Sequence, residues 1–401
     1  MKQPKVLMAV VGVAVAVTKF TEPKIALILQ FVMILLVSVS SANAAILPQD
    51  RADIMYHRYE GGGVSIDGPA LMLRKKASDA ISLSAYYYVD TVSGASIDVV
   101  ATASAYTEKR NEGRVGIDYL AGNSILSLNY AQSDENDYNA KSMSFGIAHD
   151  TFGGMTTLSM EAGLGNDDVS RNGDDNFKAK VRRYNYKFGW SQILATNWIS
   201  AINLQFDQDE GFLNNPYRSV RYRDDNQPLG YAYQSEIYPN TRNALAVSLV
   251  NKVYLPYRAA LTLNLRHYQD SWDIQAFDAE LEYIHPLTTN WTLEAKVRLY
   301  RQNQAEFYQD LFQFKDQQNY MARDKELSKF SNLTLGFGAS YQLPTWRYLP
   351  QVTPEVTLQW DHIRFDYANF RNVTITSADV GLEPLYQFDA NVYRAFFSLY
   401  F

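Results

Sequence analysis

From Tyr393 to the terminal Phe401 every second residue is apolar: Tyr393, Ala395, Phe397, Leu399 and Phe401. Arg394, Phe396, Ser398 and Tyr400 lie between them, with Asn391 and Asp389 further back. A period of two with one apolar face is a strand. A strand that ends a chain on an uncovered aromatic face is an edge that invites pairing with other chains. Closing the sheet on itself removes that edge, so the pattern points to a barrel.

The same alternation recurs along the chain. Ile81, Leu83, Ala85, Tyr87 and Val89 oppose Ser82, Ser84, Tyr86 and Tyr88. Leu333, Leu335, Phe337, Ala339 and Tyr341 oppose Thr334, Gly336, Gly338 and Ser340. Many of these runs span 11 to 15 residues, well beyond the roughly 5–6 of globular sheets. They match the roughly 9–11 residues that cross a bilayer at a tilt. Counting back from the C-terminus, the connections 344–353, 288–290, 255–257, 195–197, 151–154 and 121–123 fall at one end. The connections 367–387, 305–328, 272–274, 211–240, 168–179, 135–138 and 92–106 fall at the other. Short turns at the periplasmic end and long loops outside are the rule for outer-membrane barrels. Fourteen strands follow from Ile81 onward, and a hairpin of 51–60 with 64–76 around Gly61-Gly62-Gly63 makes sixteen. The expected fold is therefore an all-β antiparallel transmembrane barrel of sixteen strands, with fourteen as the alternative.

Residues 25–40 form an uncharged apolar run preceded by Lys19 and Lys24 and followed by the small-x-small site Ala42-Asn43-Ala44. This reads as a signal peptide cleaved after Ala44, leaving one barrel domain over 45–401. A second apolar run, Val6 to Val17, leaves open a later translation start or a retained membrane helix. Removing four lysines and one glutamate takes the net charge from −6 to −9, which argues against a nucleic-acid partner. Twenty-nine Tyr, twenty Phe and six Trp suit the aromatic girdles of a membrane barrel. Without cysteine there is no disulfide, thiolate metal site or covalent haem.

The stretches 86–104 (YYYVDTVSGASIDVVATAS), 211–222 (GFLNNPYRSVRY), 238–242 (YPNTR), 255–261 (LPYRAAL), 322–328 (ARDKELS) and 383–392 (EPLYQFDANV) resemble a family of Gram-negative outer-membrane barrels catalogued as domain of unknown function 3570. The likeness covers essentially residues 50–401. It implies an outer-membrane location and a barrel, and no activity. Members are often encoded near a small lipoprotein, a thioredoxin-like protein and a flavin transferase, which is context for extracytoplasmic redox work.

The loops hold the candidates for chemistry. Asp168, Ser170, Asn172 and Gly173 sit at positions 1, 3, 5 and 6 of a calcium loop, yet Ala179 stands where the bidentate Glu belongs. Asp168, Asn172 and Asp174 are thus weak metal candidates beside the reading of a solvated acidic turn, and no metal or cofactor is expected. Loop 211–240 sets Arg218, Arg221 and Arg223 against Asp207, Asp209, Asp224 and Asp225, and loop 305–328 carries Asp310, Asp316, Arg323, Asp324, Lys325 and Glu326. Each loop reads either as an inward constriction with a transverse field or as a self-contained salt-bridge network. No HExxH or Gly-x-Ser-x-Gly motif is present. His267 with Asp270, and His362 with Asp361 and Asp366, are the pairs a rim hydrolase could use, and the chain is not expected to be an enzyme.

The inward face is expected to carry Glu161, Arg183, Lys187, Asp207, Arg266, Asp278, Glu280, Glu282, Glu294, Lys296 and Arg298. Charges of both signs in a barrel this wide point to a water-filled channel. The row Asp278-Glu280-Glu282 is expected to face Glu294-Lys296-Arg298. Tyr393, Phe397, Leu399 and Phe401 are the expected signal for the outer-membrane assembly machinery. Lipid and lipopolysaccharide are the expected surroundings. The leading function is a porin-like channel for ions or small solutes. The alternatives are a structural or docking barrel for a periplasmic partner, such as a redox protein, and an outer-membrane hydrolase.

Overall fold

The computed structural model describes residues 45–94, 106–346, 348, 350–375 and 379–401. The expected signal peptide, 1–44, and residues 95–105 of the expected 92–106 loop lie outside them. The strands are β1 (Arg51–Gly61), β2 (Val64–Ser78), β3 (Ile81–Gly94), β4 (Tyr106–Ala121), β5 (Ser124–Asp134), β6 (Tyr138–Thr151), β7 (Thr156–Ser170), β8 (Lys178–Ala195) and β9 (Trp198–Gly211). They continue as β10 (Ser219–Arg223), β11 (Tyr231–Ser235), β12 (Thr241–Tyr254), β13 (Ala260–Asp270), β14 (Gln275–Pro286), β15 (Trp291–Gln302), β16 (Phe330–Gln342), β17 (Thr353–Arg371) and β18 (Leu385–Tyr400). All but β10 and β11 form one closed antiparallel barrel of sixteen strands, in which β1 lies between β2 and β18. Closure runs from Arg51↔Tyr400 to Gly61↔Ala390. No helix among the described residues is long and apolar enough to cross a membrane.

The sixteen-strand expectation holds because 51–61 and 64–78 do pair, turning at Gly62 and Gly63, both at positive φ. Two successive residues at positive φ favour glycine, which adopts them at no steric cost. At the short-turn end the connections include 79–80, 122–123 and 196–197, and 343–352 is long for that end. At the other end are 212–240, 303–329 and 372–384. The segment 212–240 is more than a loop, since β10 and β11 pair within it from Ser219↔Ser235 to Arg223↔Tyr231.

Register carries the alternation around the wall. Leu335 pairs with Val297, which pairs with Leu281, which pairs with Leu263. This face is open: Leu335 is 42% exposed, Leu128 45% and Phe337 58%. In water such a belt would be a severe aggregation liability; in lipid it is the favoured surface. Trp198, Trp291 and Trp346 are exposed near the short turns, and Trp291 lies 4.7 Å from the Tyr341 ring, as an interfacial girdle requires. One detail of the C-terminal strand differs from expectation. Asn391 and Asp389 have odd numbers like Tyr393 and therefore share its outer face. There Asn391 accepts from Trp360 Nε1 at 3.1 Å and Asp389 accepts from Arg364.

The compact apolar core sits at the long-loop end. Tyr238, Trp272, Phe307, Tyr308, Tyr367 and Phe370 are buried together, with Tyr268, Phe330, Phe365, Tyr386 and Phe388 packed against them. Tyr238 to Trp272 and Trp272 to Phe307 are edge contacts of 5.5 and 5.3 Å. Phe365 stacks on Phe388 at 4.6 Å. Full burial of such rings contributes roughly 1.5–3 kcal/mol each, and it couples the loops to the strand ends beneath them.

Candidate functional site: the lumen wall and its loop cap

The wall is built from charged side chains that alternate with the lipid-facing ones. Glu161 on β7 and Lys187 on β8 are register partners, and Lys187 Nζ donates to Glu161 Oε1 at 2.9 Å. Arg183 donates to Asp167 at 2.7 Å, to Asp209 at 3.0 Å and to Tyr138 Oη at 2.9 Å. Asp207 accepts from Asn185 and from Gln205. Arg242 forks onto Asp270 from the next strand pair.

On β14 and β15 the acidic row faces the charged row as expected, two of its members directly. Glu280 pairs with Arg298 and Glu282 with Lys296, while Asp278 faces Tyr300 and Glu294 faces Ile284. Arg298 reaches diagonally to Asp278 at 3.1 Å. Lys296 turns the other way and meets Asp361, Nζ to Oδ1, at 3.1 Å. Asp361 also accepts from Arg394 on β18. Lys296 and Asp361 are not on adjacent strands: Gly336 of β16 lies between them in register. A Cβ at Gly336 would fall 2.3 Å from Asp361 Oδ1 and 2.6 Å from Lys296 Cε. A glycine is thus what lets the two charges meet across a strand. His57 on β1 likewise reaches past β2 to Asp90 on β3 at 2.7 Å; its β2 partner is Gly68, where an added Cβ would meet the Val89 carbonyl instead. Glu294 accepts from Gln359 at 3.2 Å. Arg266 is the register partner of Asp278 and has no ion pair among the described residues.

The loop candidates fall into a cap. Arg221 on β10 is fully buried and bridges Asp310 and Glu383, each at 2.5 Å. Arg323 joins Asp310 from the other side at 3.1 Å. Burial alone would raise the Glu383 carboxyl, but the hydrogen bonds from Arg221 hold it below its ordinary value. Arg218 pairs with Asp324 at 2.6 Å. Tyr217 donates to Asp137 at 2.5 Å and accepts from the Asn172 amide at 2.7 Å. The 212–240 segment is therefore pinned to four other loops. Of the two readings open for this loop, Arg218 and Arg221 take the salt-bridge network, and the Arg223 side chain meets only the Val380 carbonyl among the described residues, at 3.4 Å.

Burial acts differently on two neighbouring carboxyls. Glu236 and Asp324 are pushed up, first by desolvation and then by nearby negative charge, against the pull of Arg218; Glu236 rises to about 7 and Asp324 to about 6. Tyr238 Oη and the Arg323 amide donate to Glu236.

The weak metal candidates do not converge. Asp168 pairs with Lys180 at 3.4 Å, and Asp174 accepts from the Asn176 amide. The acidic side chains that do gather are Glu108, Glu135 and Asp137, from β4 and the β5–β6 turn, a grouping invisible in the sequence because it joins separate strand ends. The histidine pairs do not form either. His362 contacts Asn391 and Asp389 on the outer face, whereas Asp361 points inward. Likewise His267 is exposed while Asp270 is held by Arg242.

The profile of a family described as "Protein of unknown function (DUF3570)" matches residues 101–350. The chain belongs to this family. No curated protein matches the sequence. Among solved structures, the family member is similar to a bacterial polysaccharide outer membrane secretin, at 10% identity over 88% of this chain and 99% of that one, with a TM-score of 0.47. It is also similar to the outer membrane protein opdK of Pseudomonas aeruginosa, at 9% identity over 88% and 99%, TM-score 0.42. A third is the siderophore receptor PirA of Pseudomonas aeruginosa, at 10% identity and TM-score 0.41 over 81% of this chain. The chain spans about 60% of that receptor's length.

Proposed function

We propose that this DUF3570 protein is a porin-like channel of the Gram-negative outer membrane, passing ions or small polar solutes under a loop cap. The observation that carries the reading is the wall itself. Sixteen strands enclose more space than side chains fill, and the inner face carries salt-bridged charges of both signs rather than an apolar core. Charges kept in pairs cost little in a hydrated lumen and would be expensive in a dry one. The long loops face the exterior in this account, the short turns face the periplasm, and residues 1–44 are the export signal. The side chains proposed to line the path include Arg183, Lys187, Asp207, Arg266, Glu280, Glu282, Glu294, Lys296 and Arg298. Tyr393, Phe397, Leu399 and Phe401 are proposed to be read by the assembly machinery.

A docking barrel for a periplasmic partner is the second reading, favoured by the depth of packing in the cap. Osmotic swelling of proteoliposomes separates the two. A channel admits a small sugar faster than a large one, and an Arg221→Ala variant swells faster than the parent. Folded protein that leaves both vesicle types as tight as protein-free ones excludes the channel.

A further inference from the structure

The cap contains a cavity of about 360 Å³ whose lining includes Arg223, Tyr308, Gln309, Asp310, Gln313 and Arg371. Its charge is unbalanced. Asp310 and Glu383 are matched by Arg221 and Arg323 in the buried network beneath. Arg223 and Arg371 then add two cations with no carboxylate partner among the described residues. Arg371 Nη1 is oriented by the Glu383 carbonyl at 2.5 Å and Arg223 Nη2 by the Val380 carbonyl, which leaves further guanidinium donors on each. The side-chain amides of Gln309 and Gln313 make no hydrogen bond among the described residues.

We propose that this cavity binds a carboxylated monosaccharide, such as a hexuronate, at the mouth of the barrel. A guanidinium fork matches a carboxylate through two parallel charge-assisted bonds, and the lining offers two such groups, Arg223 and Arg371. Free amides both donate and accept, as a ring of hydroxyls does. The volume falls in the range of small-molecule pockets, and the polar lining disfavours an apolar ligand. The site stands independently of conduction, since binding at the cap does not require that the lumen be open.

Isothermal titration of the full, detergent-solubilised protein with D-galacturonate tests it, using D-galactose and acetate as matched probes lacking the carboxylate and the hydroxyls. The expected result is saturable binding of galacturonate at least tenfold tighter than either control. Arg223→Gln, at an exposed position outside the buried network, weakens it at least tenfold with no change in melting temperature. Absence of saturable galacturonate binding overturns the proposal, as does acetate binding equally well or an Arg223→Gln variant with unaltered affinity. Gln309→Leu supplies a second check: affinity for galacturonate falls several-fold while that for acetate does not, and an unchanged ratio contradicts the sugar assignment.

Discussion

Arg221 and Glu383, 162 positions apart in sequence, form a forked ion pair with Nη1–Oε1 at 2.5 Å and Nη2–Oε2 at 3.1 Å, the guanidinium wholly withdrawn from water. The pair joins the β10–β11 hairpin to the last long loop, and Asp310 ties both to a third. Removing one member of a buried pair leaves the other charged and unsolvated, at a cost of about 3–5 kcal/mol. We expect Arg221→Ala to free the cap without unfolding the barrel. Limited proteolysis should cut within 212–240 at least tenfold faster than in the parent, while the heat-modifiable gel mobility of the barrel persists. Equal protection of that segment would mean that the aromatic contacts alone hold it.

The cap should also respond to pH in a definite direction. Glu236 and Asp324 have raised values when folded, so the folded cap binds more protons than the unfolded one and loses stability as pH rises. The window runs from their ordinary values of 4.5 and 3.8 up to about 7. Glu383 acts oppositely: its contribution is present above its ordinary 4.5 and is lost as pH falls below it. Amide exchange in the cap, corrected for intrinsic rates, should be slowest near pH 5 and faster at pH 7.5. Glu236→Gln should flatten the alkaline side of that profile.

Gly336 is the third prediction. Any side chain there must displace Asp361 or Lys296. Gly336→Val should cost roughly 1–3 kcal/mol through overpacking and separate the two charges. Asp361→Asn leaves the space unchanged while freeing Lys296 and Arg394, so it should shift ion preference toward anions. Reversal potentials under a salt gradient check this, and an unmoved potential would remove Asp361 from the conducting path.

The lipid face offers a cleaner test of orientation. Leu335→Arg, near mid-strand on the exposed belt, should destabilise the barrel by about 2–4 kcal/mol in bilayers. Arg266→Gln on the inner face should change stability by less than about 0.5 kcal/mol. Equilibrium unfolding from vesicles distinguishes the two faces.

The barrel was legible because period two is a local property. Leu335 and Thr334 reveal their opposite faces without knowledge of any other strand, and turn chemistry at Gly62-Gly63 fixes the extra hairpin. Register is less local. The expected facing of Asp278-Glu280-Glu282 with Glu294-Lys296-Arg298 holds for Glu280 and Glu282, but the ion pairs do not follow the register: Arg298 leans to Asp278 and the Lys296–Asp361 contact passes over a whole strand. The grouping of Asn391 and Asp389 with the inward side failed on parity alone. The cap was the least readable part. Tyr238, Trp272, Phe307 and Phe370 show no periodicity, and the partners of Arg221 lie in loops that only the closed barrel brings together.

The most direct test of the channel is single-channel recording of the refolded protein in a planar bilayer, alongside Arg221→Ala. We expect stable conducting steps from the parent and larger or longer openings from the variant, with selectivity that shifts in Asp361→Asn. A correctly folded barrel that conducts in neither form would contradict the account and leave the docking reading in its place.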